Sequence, residues 1–190
     1  MALSSIQQGL IAQYEYAKFL MMGSFGLLEL AAPMTDDERR DYEIHIRGRY
    51  GVGLASQIKS ATRLHRMSKN VRYLFIQFDV RADRLVNSPF FWYFFAFLDP
   101  KMMGLGDPSF LIPSTDFHEM AAPQMRDGIW YFQMAASMEP KTRDKWHPYR
   151  VRTVDLGERV LDILADLKKS RALPPSGLFA LPDVVLLRRR

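Results

Sequence analysis

The chain of 190 residues contains no cysteine. Disulfides and thiolate zinc sites are therefore excluded, and a reducing compartment is expected. The longest apolar run, Phe90 to Leu98, is about half the length that a membrane-spanning helix needs. Met1-Ala2-Leu3-Ser4-Ser5 sets no basic region ahead of an apolar core, so no secretory leader is expected and the cytoplasm is the expected location. His45, His65, His118 and His147 lie too far apart for zinc spacing. No Gly-rich phosphate loop, serine nucleophile elbow or dinucleotide fingerprint occurs. Internal repeats and low-complexity tracts are absent as well. Acids are missing from one stretch in particular, Lys59 to Arg72, which holds Lys59, Arg63, Arg66, Lys69 and Arg72. With a net charge of +5, that run is either a solvated face or a set of phosphate contacts. The spacing of three or four would gather several of its charges on one side of a helix.

What is present reads as a mixed α/β layer. Ser4-Ser5 caps a helix to about Met22, with Ile6, Leu10, Tyr14, Ala17 and Met21 on one stripe. Leu27 to Ala31 is a short apolar strand. Tyr42, Ile44 and Ile46 alternate with Glu43 and His45 at strand period, and Gly48, Gly51 and Gly53 mark a turn into a second strand, Leu54 to Lys59. Val71 to Val80 is rich in aromatic and β-branched residues. Phe90 to Leu98 is apolar on both faces, as a doubly covered central strand would be. Asp116 with Glu119 forms a capping box for a short helix to about Ala122. Ile129 to Ala135 is a further strand, and Asp155 to Lys169 an amphipathic helix. Trp146-His147-Pro148-Tyr149 reads as a packing corner, and the eleven methionines as core filler.

One hairpin carries chemistry. Asp41 opens its first strand, and Gln57-Ile58-Lys59 ends its second. Gln57 and Lys59 are two residues apart and share a face. A register that joins the strands sets Asp41 near both. A carboxylate and an amide oxygen are ligands for a hard cation such as Mg²⁺ or Mn²⁺. Lys59 is a compact charge suited to orienting an attacking water and stabilising a pentavalent phosphate. Asp41 also has the position of a turn residue closing the 33–40 loop, and Lys59 that of an ordinary strand-end lysine.

The order of helix, Asp-bearing strand and QxK strand resembles the PD-(D/E)XK nuclease superfamily, in the variant with Gln in place of the second acid. Gly9 to Leu20 is similar to that fold's first helix, and Gln57-Ile58-Lys59-Ser60-Ala61 to the QxK strand end of Holliday-junction-resolvase-like bacterial domains. The resemblance covers about residues 5–120. It implies a restriction-endonuclease-like αβββαβ core over 1–125 with a C-terminal extension, 126–190, packed on the core or on a partner. It also implies hydrolysis of DNA phosphodiesters, with Asp41 and Gln57 binding Mg²⁺ or Mn²⁺, Lys59 serving the water, and Glu15 completing the shell. Arg63, Arg66 and Lys69 would contact phosphates, and a homodimer would fit a cut through two strands. The helix acid of the pattern falls nearest Gln13, and Glu15 does not share its helix face. The rival reading is a fold kept for nucleic-acid or protein binding without catalysis. Gln13 and Gln57 favour it, as does the apolar tail Leu178 to Leu187.

Overall fold

The computed structural model describes residues 3–34, 40–68 and 71–169. The tail expected to dock a partner lies outside them, as does Lys69. Helix α1 (Ser5–Gly23) is followed by β1 (Leu28–Ala31), β2 (Tyr42–Ile46), β3 (Arg49–Ala61), β4 (Leu64–Ser68), β5 (Val71–Arg81), β6 (Phe91–Asp99) and β7 (Gly104–Pro113). Then come α2 (Ser114–Ala121), β8 (Gln124–Arg126), β9 (Ile129–Ser137), β10 (Arg150–Val151) and α3 (Leu156–Lys169).

The strands form a six-stranded mixed sheet, β1-β2-β3-β6-β7-β10, and a four-stranded antiparallel sheet, β4-β5-β9-β8. The parallel pair is β3 with β6, which sets Gln57 beside Tyr93 and Lys59 beside Phe95. A parallel pair needs a crossover, and a helix is the usual one. Here the chain crosses through the β4–β5 hairpin of the second sheet, where an αβββαβ order has a helix.

β6 explains how the two sheets and the helices share one molecule. Its side chains alternate: Phe94, Ala96 and Leu98 enter a core under α1 and α3, while Phe91, Tyr93 and Phe95 enter a core against the second sheet. That is why Phe90 to Leu98 shows no polar face. The residues after 125 are woven into both layers: β9 pairs with β5 along its length, β10 pairs with β7, and α3 packs on α1. Trp146 is fully buried against Phe117 in the second core.

Three local expectations give way to tertiary packing. The buried face of α1 is Ala12, Tyr16, Ala17 and Leu20, and Ile6, Leu10, Tyr14 and Met21 are exposed. Close approach selects small residues: a Cβ on Gly157 of α3 would lie 2.4 Å from the carbonyl carbon of Gly23. The basic run does not form a helix. Leu64 packs inward opposite Leu74, and Arg66 stands opposite Arg72 on the β4–β5 ladder, with Arg63 and Arg66 exposed. Finally, α2 starts after Pro113 with no side-chain cap. Asp116 instead accepts hydrogen bonds from the Tyr149 hydroxyl at 2.8 Å and the Thr115 hydroxyl at 3.0 Å.

Candidate active site

β3 outlasts its neighbour. Its ladder with β2 covers Arg49 to Ser56, so Gln57 to Ala61 run on past the start of β2. Asp41 sits at that step. Its backbone N–H donates to the Ser56 carbonyl at 2.8 Å, and its Oδ2 accepts the Ile58 N–H at 2.6 Å. The carboxylate thus takes the place of the missing strand and satisfies a backbone donor that would otherwise be orphaned. Its Oδ1 accepts the Gln13 side-chain amide from α1 at 2.6 Å. A second glutamine secures the same helix: the Gln8 amide donates to the Ser60 carbonyl at 2.6 Å. These contacts fix α1 over the strand end.

The two faces of β3 diverge. Leu54 and Ile58 enter the core under α1, and Ser56 lies there beside Tyr16. The Tyr16 phenol is held well above its ordinary range, first by burial, with the Asp41 carboxylate adding to the shift and the Ser56 hydroxyl opposing it. Neither of these two hydroxyls has a hydrogen bond of ordinary geometry. Gln57 and Lys59 point the other way, toward the second sheet. Gln57 is 5% exposed, and the Lys59 ammonium is 5.3 Å from the centroid of the Phe78 ring on β5.

The structure therefore gathers Gln13 and Asp41 at the step in the sheet, with Gln57 and Lys59 on the strand that Asp41 caps. Glu15 is elsewhere. It pairs with Lys18 at 2.6 Å, and its carboxylate reaches toward Gly104 at the start of β7. β7 is three strands from β2, about 14 Å at ordinary strand spacing. The helix residue that touches Asp41 is Gln13, as expected from the roughly 100° turn per residue that separates the two positions. Along β2, Glu43 pairs with Arg40, and the His45 ring covers Gly53, where a Cβ would meet its Cε1 at 2.4 Å.

Behind Gln57 lies a polar network that sequence reasoning missed. Tyr93, its neighbour on β6, donates its hydroxyl to His118 Nε2 at 3.1 Å, and His118 Nδ1 lies 3.2 Å from Asn87 Oδ1. With Asn87 as acceptor, Nδ1 carries the proton and the ring is neutral. Burial lowers the His118 pKa from 6.5 to about 4. The signal in the sequence is slight: His118 stands in a short helix that follows the apolar strand end Phe110-Leu111-Ile112.

Among the described residues, no group of three or more Asp, Glu or His side chains is placed to hold a metal ion. No helix among them is long and apolar enough to cross a membrane. No protein-family model and no curated protein matches the chain. Among solved structures it is similar to a bacterial homing endonuclease, I-Ssp6803I, with a TM-score of 0.52 at 17% identity. The match covers 89% of this chain and 99% of that one. The fold is nuclease-like. At that identity the likeness is one of architecture, and the chemistry must be argued from the side chains.

Proposed function

We propose that this nuclease-like chain binds DNA and hydrolyses its phosphodiester bonds with the help of a divalent cation, as a QxK variant of the PD-(D/E)XK nucleases. The observation that carries the reading is the position of the Asp41 carboxylate. It is fixed by the Ile58 N–H and the Gln13 amide at the strand end that bears Gln57 and Lys59.

The donor set suits a hard cation. Asp41 offers a carboxylate, Gln57 a side-chain carbonyl, and both are oxygen ligands of the kind Mg²⁺ and Mn²⁺ take. With one negative charge the site would bind weakly. A bound cation supplies a more acidic water and offsets charge on the scissile phosphate. Asp41 and Gln57 would hold the cation, and Lys59 would hold the attacking water or a phosphate oxygen through its ammonium. Tyr16, kept neutral by burial, adds no competing charge beneath the carboxylate. Arg63, and Arg66 facing Arg72 across the ladder, offer contacts to phosphates. Arg72 is already paired with Glu139 at 3.1 Å, which offsets the repulsion between like charges placed directly opposite.

The second reading, a nuclease fold kept for binding alone, rests on Gln13. Its amide already donates to Asp41, in a place where a second acid would repel it and bring metal affinity. Plasmid cleavage separates the two. The full chain should be silent in EDTA and active in Mg²⁺ or Mn²⁺, and Lys59→Ala should lose roughly two to three orders of magnitude in rate with its melting unchanged. Wild-type cleavage by that variant would remove Lys59 from the chemistry, and no cleavage by any form would leave the binding module.

A further inference from the structure

The second sheet has an outer face that the proposed chemistry does not use. Along β5, Leu74, Ile76 and Val80 point into the core, so Gln77, Asp79 and Arg81 point outward. The register with β9 sets Gln77 directly opposite Gln133, Asp79 opposite Tyr131 and Arg81 opposite Ile129. β8 then adds Gln124 beside Tyr131 and Arg126 beside Ile129. All of these except Ile129 are exposed. They form rows about 7 Å apart on a gently twisted antiparallel surface. Gln77, Asp79, Gln124, Arg126, Tyr131 and Gln133 line a shallow cleft of about 600 Å³. The β8–β9 hairpin is closed by a tight turn with Asp127 at φ 50° and Gly128 at φ 74°, and the Gly128 carbonyl accepts from Ala82 N–H at 2.8 Å. That bond anchors the ribbon to the end of β5.

An ordinary solvated sheet face is made of lysine, glutamate and threonine, chosen for solubility. This one is made of amides, a phenol, an arginine and one acid. Each type has a hydrogen-bonding complement on a base edge: Gln pairs with adenine N6 and N7, Arg with guanine O6 and N7, Asp with cytosine N4. Among the described residues the Gln77 and Gln133 side chains make no hydrogen bond inside the protein, so their donors and acceptors remain to be used. The β8–β9 ribbon is of the kind that fits the major groove, about 12 Å wide, and Gln77 on β5 lies alongside it. Arg81 and Arg126 lie at the β8–β9 turn end of this face, Arg81 paired with Asp83 at 2.7 Å and Arg126 donating to Gln124 Oε1 at 2.9 Å, while Arg66, in step with the inward Leu64, lies on the other face. The surface is coupled to the candidate site through β5, whose Phe78, between Gln77 and Asp79, turns inward under the Lys59 ammonium.

We propose that this outer face, centred on the Gln77–Gln133 pair, is a base-reading surface for the major groove of duplex DNA. It rests on the reading of the chain as a DNA-binding nuclease fold and adds the form of DNA and the means of selection.

The test uses the full chain carrying Lys59→Ala, so that bound DNA is not cut, and a pool of randomised duplex oligonucleotides. Selection should yield a consensus containing at least one A·T pair that Gln77→Ala/Gln133→Ala no longer enforces. On a labelled duplex of the selected sequence the double variant should bind at least about 10-fold more weakly, because each lost bidentate pair is worth roughly 5- to 150-fold. On a scrambled duplex of equal length its affinity and salt slope should be unchanged, since no phosphate contact is removed. Both residues are exposed, so the melting temperature serves as the folding control. A pool with no consensus, or equal losses on the two duplexes, would overturn the proposal. Cleavage by the wild-type chain without sequence selection would leave the nuclease reading intact and remove this one. Selection without cleavage would do the reverse.

Discussion

Two polar clusters flank the same stretch of the central sheet, and they are built on opposite plans. One is the Asp41 step, where β2 stops and β3 continues. The other is the Tyr93–His118–Asn87 network behind β6. The second contains an imidazole whose pKa burial lowers to about 4, with both of its ring nitrogens facing partners in the protein. The first holds a carboxylate at a partly exposed strand end, tied by short hydrogen bonds from the Gln13 amide and the Ile58 N–H. A perturbed pKa does not separate the two clusters, since burial raises that of the Tyr16 phenol beside Asp41 as it lowers that of His118. A charged group placed where the sheet's own hydrogen bonding runs out marks the candidate site better.

The comparison can be broken from the structural side. Phe117 is fully buried and packs on Phe78, Tyr93, Phe95 and Trp146, so Phe117→Ala should cost about 3–5 kcal/mol in urea unfolding. The change should spread to His118, whose ring it touches. A loss under about 1 kcal/mol would mean that the second core is loosely packed and that the network is not fixed by it.

On the Asp41 side, Gln57→Glu should restore a second carboxylate. Extra ligand charge tightens binding of hard cations, here by about tenfold for Mn²⁺. Gln57 is 5% exposed, so without metal the new acid should destabilise the chain and Mn²⁺ should restore it. A thermal melt with and without Mn²⁺ reads both effects. A destabilised variant that Mn²⁺ does not rescue would place Gln57 in the core alone.

The smallest effect belongs to His118. The unfolded chain takes up a proton near pH 6.5, and the folded chain takes it up only near pH 4. The unfolded state thus binds more protons between those values, and stability falls as pH drops from 6.5 to 4 and then levels. The ring is partly open to solvent, which reduces the effect to about 1 kcal/mol. His118→Gln should flatten that part of the profile. An unchanged slope would assign it to the carboxylates.

Much of this was legible in the chain. The hairpin of β2 and β3 shows in the alternation of Tyr42, Ile44 and Ile46, and the doubly buried β6 in its unbroken aromatic run. α3 shows its inward stripe because it covers a sheet from one side. The second sheet was not legible as a separate layer. Val71 to Val80 reads as a strand, but alternation says nothing about which sheet a strand joins. The basic run had the spacing for one side of a helix, but charge spacing carries no information about Ala61 and Leu64, which pack against the second core. α1 misled for a related reason. Its buried face is Ala12, Tyr16, Ala17 and Leu20, a stripe set by where α3 and the sheet lie and not by side-chain size. At the candidate site, Asp41, Gln57 and Lys59 could be named from spacing. The Gln13 amide on Asp41 could not, since it depends on where the helix lies. The outer face of β5 and β9 was invisible for the same reason: Gln77 and Gln133 are neighbours only through register.

The most direct test of the account is Mn²⁺ binding followed by electron paramagnetic resonance, in the wild-type chain and in Asp41→Asn. The amide oxygen of asparagine can still accept the Ile58 N–H, so the strand end keeps its cap while the site loses its negative charge. The account predicts one Mn²⁺ bound at millimolar or lower concentration by the wild-type chain, and none by a folded Asp41→Asn. Equal binding by both, or none by either, would contradict the claim that the step between β2 and β3 is a metal-dependent site.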